Sequence, residues 1–404
     1  MTMNSEVMHV ISEANVRLLA LLADVLHERK PQEIPMEQWP EIKKELRAQT
    51  VSALPGEFIR ELGLSPAEEL GYLREVIRNR QIFHPLMREQ TRVLALLESA
   101  GIPVVVLKGA AAAIYYPHPE NRCMGDIDLL VLPEDFARAY ELLASSGYRA
   151  QSTPEDRRRH IIFFSADGIE IELHKHFSAG DDEAVNARVD AILYAAIPRR
   201  EERTLCGYPV TMLPTMENGL VLLDHINHHV SSGLGLRQLV DWAYYAEAVL
   251  DDAFWNSGFA ELADSIGEKR LATVVTATCR KYFGLPEDTH WCAYEPVCDE
   301  LMEYVLAHGN FGKKLEVNRA NTVSILKRSK NPIHVFRLAQ RNGLANWKAA
   351  REHTLLRPFA WVYQFGRWAR HGIEGGVTLR TLSASAAAAR EESEFLERLG
   401  ATRL

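Results

Sequence analysis

Residues 101–131 read GIPVVVLKGAAAAIYYPHPENRCMGDIDLLV. Pro103 to Leu107 is a short, continuous β-branched run, the pattern of a strand buried on both faces. Lys108-Gly109 opens an alanine-rich helical stretch that reaches Tyr116 and is ended by Pro117. A polar loop, His118 to Gly125, then leads into a second strand, Asp126 to Leu132. Alternate side chains of a strand share a face, so Asp126 and Asp128 stand side by side with Cβ atoms about 6–7 Å apart. Two negative charges at that spacing are unfavourable unless a cation neutralises them. Such a pair alone also occurs where acids cap a strand or meet solvent, so its companions decide.

Outward from this stretch the pattern is regular. Pro133-Glu134-Asp135 suits a helix start, with proline at the first helical position and acids in the first turn. That helix carries Phe136, Tyr140, Leu142 and Leu143 and stops at Gly147. Ile161–Phe164 and Ile169–Leu173 follow as strands, with Asp167-Gly168 between them as a hairpin turn. Tyr208–Leu213 reads as an edge strand. Upstream, residues 1–100 are helical: Leu18, Leu19, Leu21, Leu22 and Val25 share a 3.6-period face, and a long helix runs from Ser65 to Ala100 with Leu70, Leu73, Val76 and Ile77 on one face. Beyond Pro214 the chain reads as helical to its end, although 309–332 is polar and irregular. The fold class is therefore α+β, a mixed-sheet core over 101–213 flanked by helical regions at 1–100 and 214–404.

Two companions give the acidic pair a chemical meaning. Leu107-Lys108-Gly109-Ala110 joins a strand to a helix, where free N–H groups and a glycine let a phosphate approach the backbone. Glu170 and Glu172 alternate in the strand after the hairpin, so a neighbouring strand brings a third carboxylate to the pair. Three acids beside a phosphate cradle supply the hard oxygen ligands that divalent ions and a triphosphate require.

The order LKG, helix, Arg122-x-x-Gly125-DIDLLV, helix and Glu172-Leu173-His174 resembles the DNA polymerase β-like nucleotidyltransferases. It is most similar to a poorly characterised bacterial branch with an LKG, DIDLLV, ELH signature over roughly 103–177. Leu222 to His229 and Arg237 to Asp241 are similar to that branch's H-x-x-H and R-x-L-x-D helices. The resemblance implies a nucleotidyltransferase-type sheet, two Mg²⁺ (or Mn²⁺) ions both bound by Asp126 and Asp128 with Glu172 completing the site, and an NTP, ATP foremost, as substrate. It also implies that Gly109 belongs to the nucleotide-binding turn, with Lys108, Ala110 and Arg122 beside it. Ala110 stands where many members carry serine or glycine, so the usual hydroxyl contact is missing and Lys108 is expected to compensate.

Other signals carry two readings each. Glu170 competes with Glu172 for the third position or is a solvated outer acid. Arg122 reaches a phosphate bidentately or pairs with Glu120. His174 and His176 support a metal-bound carboxylate or simply pack. His225, His228 and His229 suggest zinc, but no acid or cysteine follows at ligand spacing, so packing or a substrate contact is expected. Arg237 and Asp241, one turn apart, form an intrahelical ion pair or touch substrate. The basic run Arg157-Arg158-Arg159-His160 is a solvated loop or attracts triphosphate, and the aromatic stretch 355–372, with Arg357, Arg367 and Arg370, is a core helix or a base-stacking or membrane-docking surface; together they are the support for an RNA partner.

Composition narrows the function. The 404 residues carry 47% hydrophobic and 25% charged side chains and a formal net charge of -8, ordinary for a globular protein and unlike one that coats nucleic acid. The five cysteines are scattered without zinc-finger spacing, as in a reducing compartment. The N-terminus lacks the basic start of a signal peptide and no run of 18 apolar residues occurs, so a cytoplasmic protein without a membrane span is expected. The expected activity is transfer of a nucleoside monophosphate to a hydroxyl of a small molecule, peptide or protein, with no polynucleotide partner. The alternatives are an RNA- or tRNA-directed transferase, or a non-catalytic binding module of antitoxin type on the same fold.

Overall fold

The computed structural model describes residues 11–153, 159–178, 180, 182–230, 233–286, 289–310, 314, 332–374 and 391–401. They show an α+β fold whose centre is a seven-stranded mixed sheet in the order β3-β4-β5-β2-β1-β7-β6. The strands are β1 (Val104–Leu107), β2 (Asp126–Val131), β3 (Arg149–Ala150), β4 (His160–Phe164), β5 (Glu170–His174), β6 (Glu201–Leu205) and β7 (Tyr208–Met212). Residues 1–312 with 400–404 form one compact unit and 313–399 a second.

The central strands follow from their apolar runs. All four residues of β1 are buried, and only Asp126 of β2 is not. Period-2 alternation sorts their side chains between two apolar layers. On one face Val104, Val106, Ile127, Leu129, Val131, Ile171 and Leu173 pack against Phe83, Leu86, Val93 and Leu97 of α3 (Pro66–Ser99) and Phe136, Ala139 and Leu143 of α5 (Phe136–Ser145). On the other, Val105, Leu107 and Leu130 meet Val189 and Leu193 of α6 (Glu183–Ala196) and Leu220 and Val221 of α7 (Thr215–Val230). Each such side chain taken fully out of water contributes about 1.5–3 kcal/mol. Asp126 and Asp128 share parity with Leu130. They therefore lie on the α6–α7 face, where its apolar cover gives out.

Several expectations need correction. β7 is interior, paired parallel to β1 and antiparallel to β6, so the edge strand is β6, which lies in a stretch with little apolar pattern. The helix expected at Pro133 begins at Phe136, with Asp135 preceding it. The helix after Lys108, α4 (Gly109–Ala113), spans five residues rather than reaching Tyr116, so its dipole is short. In α3 Val76 is buried as expected, but Leu70, Leu73 and Ile77 are exposed, and Tyr72, Phe83 and Leu86 are buried instead. The Asp167-Gly168 hairpin forms as expected, with Gly168 at φ +79°, a left-handed conformation that costs glycine little.

The N-terminal helices α1 (Glu13–Leu26) and α2 (Trp39–Ala48) belong to the same unit as the sheet. Leu18, Leu19, Leu21, Leu22 and Val25 are all buried. The His27 ring reaches the Phe283 carbonyl at 2.8 Å, and Gln49, fully buried, donates to the Val305 carbonyl and accepts from Leu236 N–H. In the second unit, helix Pro332–Asn346 packs on Ala360–Glu374 so closely that a Cβ on Gly343 would collide with the Ala360 carbonyl. Of the aromatic stretch, Trp368 is buried, whereas Phe359 and Tyr363 are exposed together with Arg357, Arg367 and Arg370. Arg157 and Arg158 of the basic run lie outside the described residues. No helix among the described residues is long and apolar enough to cross a membrane, and Cys279, Cys292 and Cys298 are buried as free thiols.

Candidate active site

The parallel pairing of β2 with β5 sets the site. Its register places Asp126 opposite Glu170, Asp128 opposite Glu172 and Leu130 opposite His174. The antiparallel hairpin then sets His160 of β4 opposite His174. Since every second residue shares a face, two aspartates, two glutamates and two histidines occupy one patch. A cavity of about 200 Å³ opens on it, walled by Lys108, Gly109, Asp126, Asp128, Arg159, His160, Glu172 and His174 from the sheet side. Asp224, His225, His228 and His229 of α7 and Arg237 of α8 (Leu236–Val249) close the other side. Glu170 is not among the walls.

Asp128 is the buried anchor of the patch. Its Oδ1 accepts from Lys108 Nζ at 2.8 Å and from His174 Nε2 at 3.0 Å, and the same Nε2 meets Glu172 Oε2 at 3.1 Å. Burial disfavours a charge on Asp128, but Lys108 and His174 outweigh it and hold the carboxyl well below the usual carboxylate range. His174 mirrors this: burial opposes its charge, yet the bonds to Asp128 and Glu172 raise its pKa. Asp126 has no such partner. Burial, then the neighbouring Asp128 charge, push its pKa up. Glu170 is likewise raised, by burial and then by Asp126 opposite it.

The backbone at the β1–α4 junction directs Lys108 here. Lys108 takes φ 49° and ψ -134°, and Gly109 follows at φ +33°. A non-glycine residue in such a region costs on the order of 1–3 kcal/mol and persists where surrounding structure fixes it. The ion pair with buried Asp128 is that fixture. Ala110 is buried and, like Ala111 and Ala113, packs into the α3–α5 layer, so alanine at the position usually given to serine serves the core.

Arg122 departs from the expected pairing with Glu120. Its Nε and Nη2 donate to the two carboxylate oxygens of Asp241 at 2.7 and 2.8 Å, with both side chains 3% exposed, and Tyr116 Oη donates to Asp241 at 2.5 Å. Burial opposes the guanidinium charge, but Asp241 more than compensates and holds it above its ordinary pKa. Arg122 thus ties the loop before β2 to α8 and does not pair with Glu120, while it also lines the cavity. Asp241 is correspondingly not engaged by Arg237 in an intrahelical pair. Arg237 Nη1 donates instead to the Cys123 carbonyl, and its side chain reaches the cavity.

In the sequence His160 stands out only as the end of a basic run. Counting back from the Asp167-Gly168 turn through the hairpin would have paired it with His174, so the signal was present. His176 turns away from the patch and meets Asp190 Oδ2 at 2.9 Å.

The α7 histidines form an aromatic cluster, His225 and His229 edge to face with ring centroids 4.4 Å apart. Among the described residues the group of ligand atoms close enough for a metal is His160, Glu172 and His174, not these three. Burial pushes His229, 9% exposed, down to about 3, with His228, Lys108, Arg237 and Arg159 adding repulsion. A histidine whose folded pKa is depressed binds its proton more tightly in the unfolded chain, so stability is present above about pH 6.5 and falls as pH drops below it. The slope is about 1.4 kcal/mol per pH unit until the folded pKa is reached. Thermal denaturation from pH 7 to pH 5 is expected to show a falling Tm, and His229→Gln to flatten that fall. A wild-type Tm indifferent to pH over this window would contradict a neutral, buried His229.

With this geometry in place, the comparison with known families is decisive: the model of the uncharacterised nucleotidyltransferase family matches residues 35–284, more than half of the chain. The chain belongs to that family. The match takes in α2, α3, the whole sheet and the α7–α8 wall of the cavity. A crystal structure of an antigenic nucleotidyltransferase-like protein from Paracoccidioides brasiliensis is 17% identical, covers 50% of this chain and 98% of its own, and superposes with a TM-score of 0.31. No curated protein matches the chain.

Proposed function

We propose that this family member transfers a nucleoside monophosphate from an NTP to the hydroxyl of a small molecule, peptide or protein, releasing pyrophosphate. The observation that carries the proposal is the in-register pairing of Asp128 with Glu172 on adjacent parallel strands, Asp126 beside them and Lys108-Gly109 at the same cavity. The donor set suits a hard divalent cation. Asp126 is an acid whose charge the fold penalises, and Asp128 already draws an ammonium and an imidazole to one oxygen. Carboxylates are the ligand type Mg²⁺ and Mn²⁺ take, and these three would draw together around the metal.

Asp126 and Asp128 would hold two such ions, with Glu172 completing the site; the ions would neutralise triphosphate charge and acidify the acceptor hydroxyl. The chain's own groups do the rest. Lys108, Arg159 and Arg237 bring positive charge to the cavity for the phosphates. His174, bonded to both Asp128 and Glu172, keeps the two carboxylates oriented. A Glu172 carboxylate oxygen accepts the acceptor's proton as its oxygen attacks the α-phosphorus. The bond from that phosphorus to the bridging oxygen breaks, and pyrophosphate carries away the electron pair.

Pyrophosphate release, measured with each NTP, Mg²⁺ or Mn²⁺ and a cell extract as acceptor source, tests this directly. Lys108→Ala is expected to weaken NTP binding by about 1–3 kcal/mol, the scale of a charge-assisted contact. Gly109→Val, forcing a β-branched residue to φ +33°, is expected to abolish it. Unchanged NTP affinity in both variants would move the nucleotide elsewhere.

A further inference from the structure

The acidic patch carries two imidazoles that oxygen-based Mg²⁺ chemistry does not require. His160 Nε2 lies 3.6 Å from Glu172 Oε1, and His174 Nε2 lies 3.1 Å from Glu172 Oε2. One ligand atom from each of the three residues falls within 4.8 Å of the others. Ligands about 2.0–2.2 Å from a common tetrahedral ion stand roughly 3.3–3.5 Å apart, so the widest pair would close by at most about 1.5 Å to share one. The rings themselves are near neighbours, with centroids 4.8 Å apart.

We propose that His160, His174 and Glu172 form a site for a borderline divalent ion of the Zn²⁺, Co²⁺ or Mn²⁺ class, which the chain prefers to Mg²⁺. Two imidazoles and one carboxylate, with a remaining position open, are a ligand set of catalytic zinc centres. Imidazole nitrogen suits these ions and serves Mg²⁺ poorly. His174 Nε2–H donates to Asp128 and Glu172, so an ion bound at that nitrogen must displace this proton. Nδ1 of His160 and Nδ1 of His174 are both buried with no hydrogen-bond partner, so no protein acceptor locks the proton there or excludes it. When the proton moves to Nδ1, each Nε2 lone pair faces Glu172 and the space an ion would occupy. His174 is 2% exposed, so the ion enters from the cavity rather than from bulk solvent. Glu172 serves this site through the oxygens that face the two rings and stands opposite Asp128 of the nucleotide site. The inference therefore deepens the proposed function and rests on it for the ion's role, but not for the ion's binding.

Co²⁺ titrated into the nucleotide-free protein tests the site. One equivalent is expected to bind with visible d–d absorption, to resist a large excess of Mg²⁺, and to weaken at least tenfold in His160→Asn, while His225→Asn leaves it unchanged. Pulsed electron paramagnetic resonance of Mn²⁺-loaded wild type needs no variant and is expected to show nitrogen coupling from bound imidazole. Oxygen-only coordination, or Co²⁺ affinity untouched by His160→Asn, would overturn the inference. Nitrogen-bound metal without pyrophosphate release from any NTP upholds the metal site and removes the transferase reading. Mg²⁺-supported release with no nitrogen-bound ion does the reverse.

Discussion

Asp126→Asn and Asp128→Asn are both expected to cut nucleotidyl transfer by about 10³-fold or more, the loss of charge placed where the transition state needs it, yet to move the stability of the metal-free protein in opposite directions. The two acids differ in surroundings although the sequence presents them as a pair. Asp126 is partly buried beside Asp128, and burial followed by that neighbouring charge raises its pKa. Neutralising it relieves a charge the fold penalises, so Tm rises. Asp128 is 3% exposed and accepts from Lys108 and His174. Neutralising it leaves a Lys108 ammonium held in a strained backbone with no carboxylate, and removal of one partner of a buried pair costs about 3–5 kcal/mol. Thermal denaturation with pyrophosphate release on the same preparations reads both effects. Two variants that lose stability equally would show that Asp126 is anchored by a partner as Asp128 is, and full activity in either would refute the site.

The second large effect belongs to a contact outside the chemistry. Arg122→Ala or Asp241→Ala is expected to destabilise the protein by about 3–5 kcal/mol, because each leaves its partner charged and buried. Asp241 accepts three bonds, two from the Arg122 fork and one from Tyr116, at a point where the loop before β2 meets α8. The double variant Arg122→Met/Asp241→Leu removes both charges and fills similar volume, so it is expected to recover most of the loss. Chemical denaturation of the two single variants and the double variant gives the coupling as a cycle. Single-variant losses near zero, or no recovery in the double variant, would mean that the pair does not hold loop and helix together. NTP affinity adds a second readout: if the Arg122 fork contacted phosphate, Arg122→Met/Asp241→Leu would lose nucleotide binding while regaining stability.

Much of this protein was legible along the chain because strands and helices advertise themselves over a few residues. The apolar run Val104–Leu107 and the sequence Asp126–Val131 specify two buried strands by composition alone, and period 2 fixes which of their side chains share a face. The Asp167-Gly168 turn closes its hairpin for an equally local reason. From these the α+β class, the acidic pair and the approach of a third carboxylate, Glu170 or Glu172, follow, as does the position of Lys108 and Gly109 at a strand-to-helix turn.

What depended on residues distant in sequence was decided only by the tertiary structure. Which of Glu170 and Glu172 stands beside Asp128 is set by the parallel register of β2 and β5, and parallel strands need a crossover whose length fixes no register locally. The partner of Arg122 lies 119 residues away on α8, so no spacing rule reaches it. β7 became an interior strand because β6, with few apolar residues of its own, pairs outside it. The exposed stripe Leu70, Leu73 and Ile77 shows the same limit, since periodicity defines a helix face but not what covers it. The hairpin pairs His160 with His174 locally, but only the packing of β5 on β2 sets that pair beside the aspartates: local chemistry chose the residues, and the packing of strands and helices chose their neighbours.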